Sequence, residues 1–114
     1  MGYDIVGYTS LKDRHRKGYD KSVIAHVQCP YAWQSKFKKS IGCDIKDFHG
    51  RLTKNNCINF VNALDSIINM IKNGETVLQY CGNLSNCTNE QLLNDLLELR
   101  KGVVNKKIKY VSID

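Results

Sequence analysis

Apolar positions recur every three to four residues through Cys57, Phe60, Val61, Leu64, Ile67, Ile68 and Ile71, while Asn59, Asn62, Asp65, Asn69 and Lys72 fill the other faces. That period marks an amphipathic helix with one buried stripe. Thr53 is placed to cap its start and Gly74 to stop it, which predicts a helix over residues 53–73. A second helical run opens at Thr88, where Thr88-Asn-Glu-Gln91 fits a capping box, and closes at Gly102. Its leucines, Leu92, Leu93, Leu96, Leu97 and Leu99, cover more than one stripe. A helix this apolar is buried between two layers or shared with a second copy of the chain. A third helix follows Pro30, which is pre-organised for a first turn. Tyr31, Trp33, Phe37 and Ile41 recur along it, and Gly42 supplies a left-handed stop.

Between these helices the period changes to two. Residues 3–9 are β-branched and aromatic between glycines and read as a strand. Val23, Ala25 and Val27 alternate, so residues 22–28 read as a second strand, with a short helix opened by Asp20 as the alternative. Residues 76–81 and 107–114 read as strands too, the last through Ile108, Tyr110, Val111 and Ile113. Residues 12–19 form a loop or hairpin tip, and residues 43–52 a connection. The order predicts an α+β fold in a single domain spanning residues 1–114. Its sheet has three to four mostly antiparallel strands, with two or three helices packed on one face.

Composition adds the setting. A chain of 114 residues buries roughly 65 % of its unfolded surface, enough for one core without a metal or a disulfide. No stretch approaches the ~20 apolar residues of a membrane span, so no membrane partner is expected. Residues 1–4 lack the basic and apolar regions of a secretory signal, and the cysteine count of five is odd. Reduced thiols in a cytoplasm, that of a bacterial host, are the expectation. Lys, Asn and Ile contribute 13, 11 and 10 residues against four Arg and one Pro. That usage fits an AT-rich genome such as that of a phage, a low-GC bacterium or another virus.

Charge is divided unevenly. Residues 1–54 hold eleven Lys/Arg against five Asp/Glu, and residues 55–114 hold six of each. A basic front half favours a polyanion or an acidic protein surface. Within it, Arg14, Arg16 and Lys17 cluster on the loop, Lys36, Lys38 and Lys39 follow on the first helix, and Arg51 lies in the connection. Tyr19, Tyr31, Trp33 and Phe37 are interleaved. Cations for phosphates and flat faces for unstacked bases are what a nucleic-acid binder needs. The bland alternative is a solvated charged surface over an aromatic core. Arg14, Arg16, Lys17, Trp33, Lys36, Lys38, Lys39 and Arg51 are therefore the candidate contacts to nucleic acid or to a partner.

Other chemistry is thinner. His26, Cys29, Cys43 and His49 are the best zinc ligands available, yet no tight Cys-x2–4-Cys knuckle accompanies them, so no metal and no cofactor are expected. Cys29 at a helix start and Cys81 after a strand lack an evident base, and the bland reading is a buried thiol. Asp44, Asp47 and His49 beside Arg51 could hold a divalent cation in a small nuclease or nucleotide-processing enzyme. No catalytic site is assigned.

The sequence thus points to a non-enzymatic binding protein encoded by a phage or mobile element. It would use its basic N-terminal half on a host protein, a ribonucleoprotein complex, or the RNA or DNA of such a machine, in the manner of anti-CRISPR and other anti-defence inhibitors. The alternatives are the metal-dependent enzyme and a structural or regulatory homodimer built on the leucine-rich helix.

Overall fold

Alternation along the strands sets the inner face of the sheet. The computed structural model describes residues 3–9, 23–29, 31–74 and 89–113. In chain order these form β1 (Tyr3–Tyr8), β2 (Val23–Cys29), α1 (Tyr31–Ile41), a 3-10 helix (Ile45–Phe48), β3 (Gly50–Arg51), α2 (Lys54–Lys72), α3 (Asn89–Val104) and β4 (Tyr110–Ile113). The four strands make one antiparallel sheet in the order β2-β1-β4-β3. Ile5 is paired with Val27 on one side and Ile113 on the other, and Gly7 with Ala25 and Val111. All six are buried. The intervening Val6, His26 and Ser112 turn to the opposite face, as a two-residue period demands. Gly7 pairs with Ala25 but Tyr8 with Val23, so Ile24 is an extra residue, a bulge in β2.

The helices stack onto the inner face: α3 packs on β2, α2 on α3, and α1 on α2. The predicted stripe of α2 supplies Phe60, Leu64, Ile67, Ile68 and Ile71 to the core, and α1 adds Phe37. On α3, Leu92, Leu96 and Leu99 are buried and Leu93 is half-buried, whereas Leu97 is exposed. Most of the leucine surface is therefore used within the chain itself. The result is an α+β fold with three helices, as its order of periods predicts.

Helix ends follow local chemistry. The Thr53 hydroxyl accepts from the Asn56 backbone N–H at 3.3 Å, which satisfies one of the donors a helix start leaves unpaired. Thr53→Ala is expected to lower stability by about 1 kcal/mol, measured by urea denaturation, and Thr53→Ser to leave it nearly unchanged. Gly42 terminates α1 at a φ of +76°.

Two boundaries differ from the sequence reading. The helix α3 does not stop at Gly102 but runs on to Val104. Gly102 is there for space: a Cβ on it would collide with Ile108, and a Cβ on Gly7 would stand 2.5 Å from Ile108 Cδ1. Ile108 thus plugs a slot between helix and sheet that two glycines leave open. Correspondingly, the last strand begins at Tyr110, because residues 105–109 form a pinned turn. The connection over residues 43–52 also holds more structure than its polar pattern suggests. The Asp44 carboxylate caps the 3-10 helix by accepting from the Lys46 N–H at 3.0 Å, and Gly50 and Arg51 form the short edge strand β3. The expected strand over residues 76–81 and the capping box at Thr88 lie outside the described residues.

Candidate functional site

Three backbone hydrogen bonds gather one end of the sheet. The Lys109 N–H donates to the Tyr8 carbonyl at 2.8 Å, and the Leu52 N–H donates to the Lys109 carbonyl at 3.0 Å. The Ile108 N–H donates back to the Gly102 carbonyl in α3 at 3.0 Å. The chain after α3 therefore crosses this end bonded to β1, to the segment following β3, and to the helix it has just left. The start of α2 lies beside the end of α3 at the same place, because the Cys57 thiol approaches the Val103 carbonyl at 3.8 Å.

The segments that meet here are alike in charge. Residues 49–57 contain Arg51 and Lys54, residues 100–110 contain Arg100, Lys101, Lys106, Lys107 and Lys109, and neither segment contains a carboxylate. Arg51, Lys54, Lys101, Lys106, Lys107 and Lys109 are all exposed. Among the described residues the ion pairs are His26 with Asp4 and Arg100 with Asp65. Arg100 is thus tied to α2, while the other six cations make no ion pair within the described structure.

The presenting turn is rigidly built. Lys106 sits at a φ of +65°, in the left-handed region, where a non-glycine residue costs about 1 kcal/mol. Its N–H donates to the Val103 carbonyl at 3.2 Å, and the Asn105 N–H donates to the Lys101 carbonyl at 3.0 Å. The Asn105 side chain accepts from the Lys107 N–H at 3.0 Å. These bonds use backbone atoms of the lysines and leave their ammonium groups for solvent or a ligand.

The outer face of the sheet beside this end is closed by aromatic packing. Tyr8 and Tyr110 are directly paired across β1 and β4, with ring centroids 6.3 Å apart, and both are buried. His49 stacks edge-on against Tyr110 at 5.8 Å. Its Nδ1 accepts from the Ile113 N–H at 2.9 Å, so Nε2 carries the proton in the neutral ring and donates to the Tyr110 oxygen at 3.1 Å. Both imidazole nitrogens are thereby engaged in fastening β4.

The sequence candidates separate into three groups. Arg14, Arg16 and Lys17 lie outside the described residues. Trp33, Lys36, Lys38 and Lys39 belong to α1, where Lys38 and Lys39 are exposed and the side chains of Trp33 and Lys36 are outside the described set. Helix α1 joins the domain through α2 and the 3-10 helix. Arg51, on β3, is the one candidate among the described residues that reaches the basic end. Lys54 belongs to the basic front half that the charge count singles out, whereas Lys101, Lys106, Lys107 and Lys109 were missed as a group. The half-chain totals hide them: residues 55–99 hold one lysine against five carboxylates, and residues 100–114 hold five cations against one. A shorter charge window would have found this run.

Of the metal and enzyme candidates, the Cys29 side chain and Cys81 lie outside the described residues. Among the described residues no three His, Cys, Asp or Glu side chains come together to hold a metal ion. Asp44 is engaged in capping and His49 in fastening β4, whereas His26 lies on the exposed face paired with Asp4 at 3.4 Å. A groove of about 360 Å³ between α1, the 3-10 helix and α2 is lined by Ser40, Cys43, Phe48, Asn59, Asn62 and Ser66, without a charged side chain. No helix among the described residues is long and apolar enough to cross a membrane. The chain matches no protein-family model, no curated protein and no solved structure.

Proposed function

We propose that this protein is a non-enzymatic binding module that grips a polyanion, the nucleic acid of a nucleoprotein machine, through the basic end of its sheet. The observation that carries the reading is the meeting of two carboxylate-free segments, with six exposed cations that no described acid neutralises. A helix C-terminus attracts cations on its own account, but that effect fades within the last turn. It accounts for Lys101 and not for Lys107 and Lys109, which lie beyond α3. A lysine held in the left-handed conformation at 106 supports the same reading, since glycine would fit there with less strain.

The strand β1 ends at Tyr8 and β2 begins at Val23, so the chain leaves and re-enters the sheet in the row formed by Val23, Tyr8, Tyr110 and Arg51. Arg14, Arg16 and Lys17 fall in the intervening sequence, outside the described residues, and are not counted among the six cations. A small protein with such a surface suits stoichiometric inhibition of a host machine, as anti-defence proteins of phages and mobile elements practise it.

The test is fluorescence anisotropy with labelled nucleic acid over a range of salt. If six cations contact phosphates, log K should fall against log[salt] with a slope of about −5 on a duplex, since each contact contributes about −0.9. Absence of binding at 25 mM salt would defeat the proposal and shift attention to an acidic protein partner.

A further inference from the structure

Resting on that reading, we infer that the ligand is a double-stranded nucleic acid held by its phosphates, without stacking on the bases. Three features of the basic end point this way. The first is the state of the rings. Single-strand binders place bases on exposed aromatic faces. Here Tyr8 and Tyr110 are spent on each other and on His49, and both are buried. Phe48 and Phe60 likewise pack together, with centroids 5.1 Å apart. Among the described residues no exposed ring stands at this end.

The second feature is the type of cation. Five of the six are lysines and only Arg51 is an arginine. An ammonium group acts as a mobile point charge, while planar, bidentate recognition of a base edge falls to arginine. A lysine set therefore suits an array of phosphates more than the reading of a sequence.

The third is the spread of the charges. Arg51 lies in β3 and Lys109 immediately precedes β4, bonded to Tyr8 and Leu52, whereas Lys54 opens α2 and Lys101 lies in the last turn of α3. The cations are thus drawn from two layers whose packed elements stand about 10 Å apart, axis to axis. Across the sheet, Arg51 on β3 and Lys109 leading into β4 lie on neighbouring strands, about 5 Å apart at the usual strand spacing. A single strand offers one line of phosphates to a groove. A duplex offers two lines across a groove of about 6 or 12 Å, which a two-layer surface of this breadth can contact together. The groove lined by Ser40 and Asn62, between α1 and α2, has none of these cations in its lining.

The experiment uses the full chain with fluorescein-labelled 20-base-pair DNA duplexes of AT-rich and GC-rich sequence, a 20-base-pair RNA duplex, and single-stranded poly-dT of equal length. All are titrated at 25–200 mM salt. The expected result is at least tenfold tighter binding of a duplex than of poly-dT, with the two DNA sequences within threefold of each other. Lys107→Gln and Lys109→Gln, which keep the exposed positions polar, should each make the duplex slope shallower by about 0.9. Preference for poly-dT, or a tenfold difference between the two DNA sequences, would overturn the duplex inference while leaving nucleic-acid binding standing. No binding to any of the four probes would instead overturn the parent proposal.

Discussion

Gly102→Ala is expected to destabilise the protein by about 2 kcal/mol, within the 1–3 kcal/mol range of overpacked cores, although alanine is the better helix former. The glycine lies inside α3, and the new methyl group would collide with the side chain of Ile108, which is 2 % exposed. Ile108 has nowhere to retreat, because Gly7 bounds the same slot from β1. Most of the cost should depend on that side chain. In an Ile108→Ala background the nearest remaining contact is Ile24 Cγ2 at 3.3 Å, and Gly102→Ala should then cost less than about 1 kcal/mol, restored helix propensity offsetting the tight contact. A double-mutant cycle by urea denaturation measures the coupling. If Gly102→Ala is equally costly in both backgrounds, the glycine serves the backbone and the slot has no part in it.

The second large effect concerns binding. Reversing Lys106, Lys107 and Lys109 together to glutamate should weaken nucleic-acid affinity by more than about 100-fold at 50 mM salt and make the log–log salt slope shallower by about 3. The fold should survive, since all three side chains are exposed and the hydrogen bonds of the turn run through backbone atoms and Asn105. Circular dichroism and the urea midpoint check this. Lys38→Glu with Lys39→Glu is the matched control on α1. A smaller loss in the control places the binding surface at the sheet end. A loss confined to the control would return the site to the basic helix of the front half. Unchanged affinity in the triple variant would dismiss the sheet end as the binding surface.

Much of the fold was readable because its signals are local. The stripe from Cys57 to Ile71, the cap at Thr53, the stop at Gly42 and the alternation through Val23, Ala25 and Val27 each depend on neighbours in the chain, and each element formed where its period placed it. Gly102 misled because glycine serves two ends. It stops helices, and it also makes room, and nothing beside it in sequence tells that Ile108 will come to lie against it. The strand β3 escaped for a related reason: two residues carry no period, and its pairing with Val111 and Tyr110 comes from more than fifty residues away.

The site divides the same way. Arg51 was legible from residue type, as were the cations of the first half. The basic end was not, because Lys106, Lys107 and Lys109 are balanced in any half-chain total by acids such as Asp95 and Glu98, which lie further back along α3. By itself the sequence determined the fold class, the boundaries of α1 and α2, the buried stripes and the excess of positive charge, all properties that short-range periodicity and composition carry. Only the tertiary structure decided which charges share a surface. Antiparallel pairing of β4 between β1 and β3 brings residues 100–110 beside residues 49–57, and electrostatic potential adds over distance in space, whatever the separation along the chain.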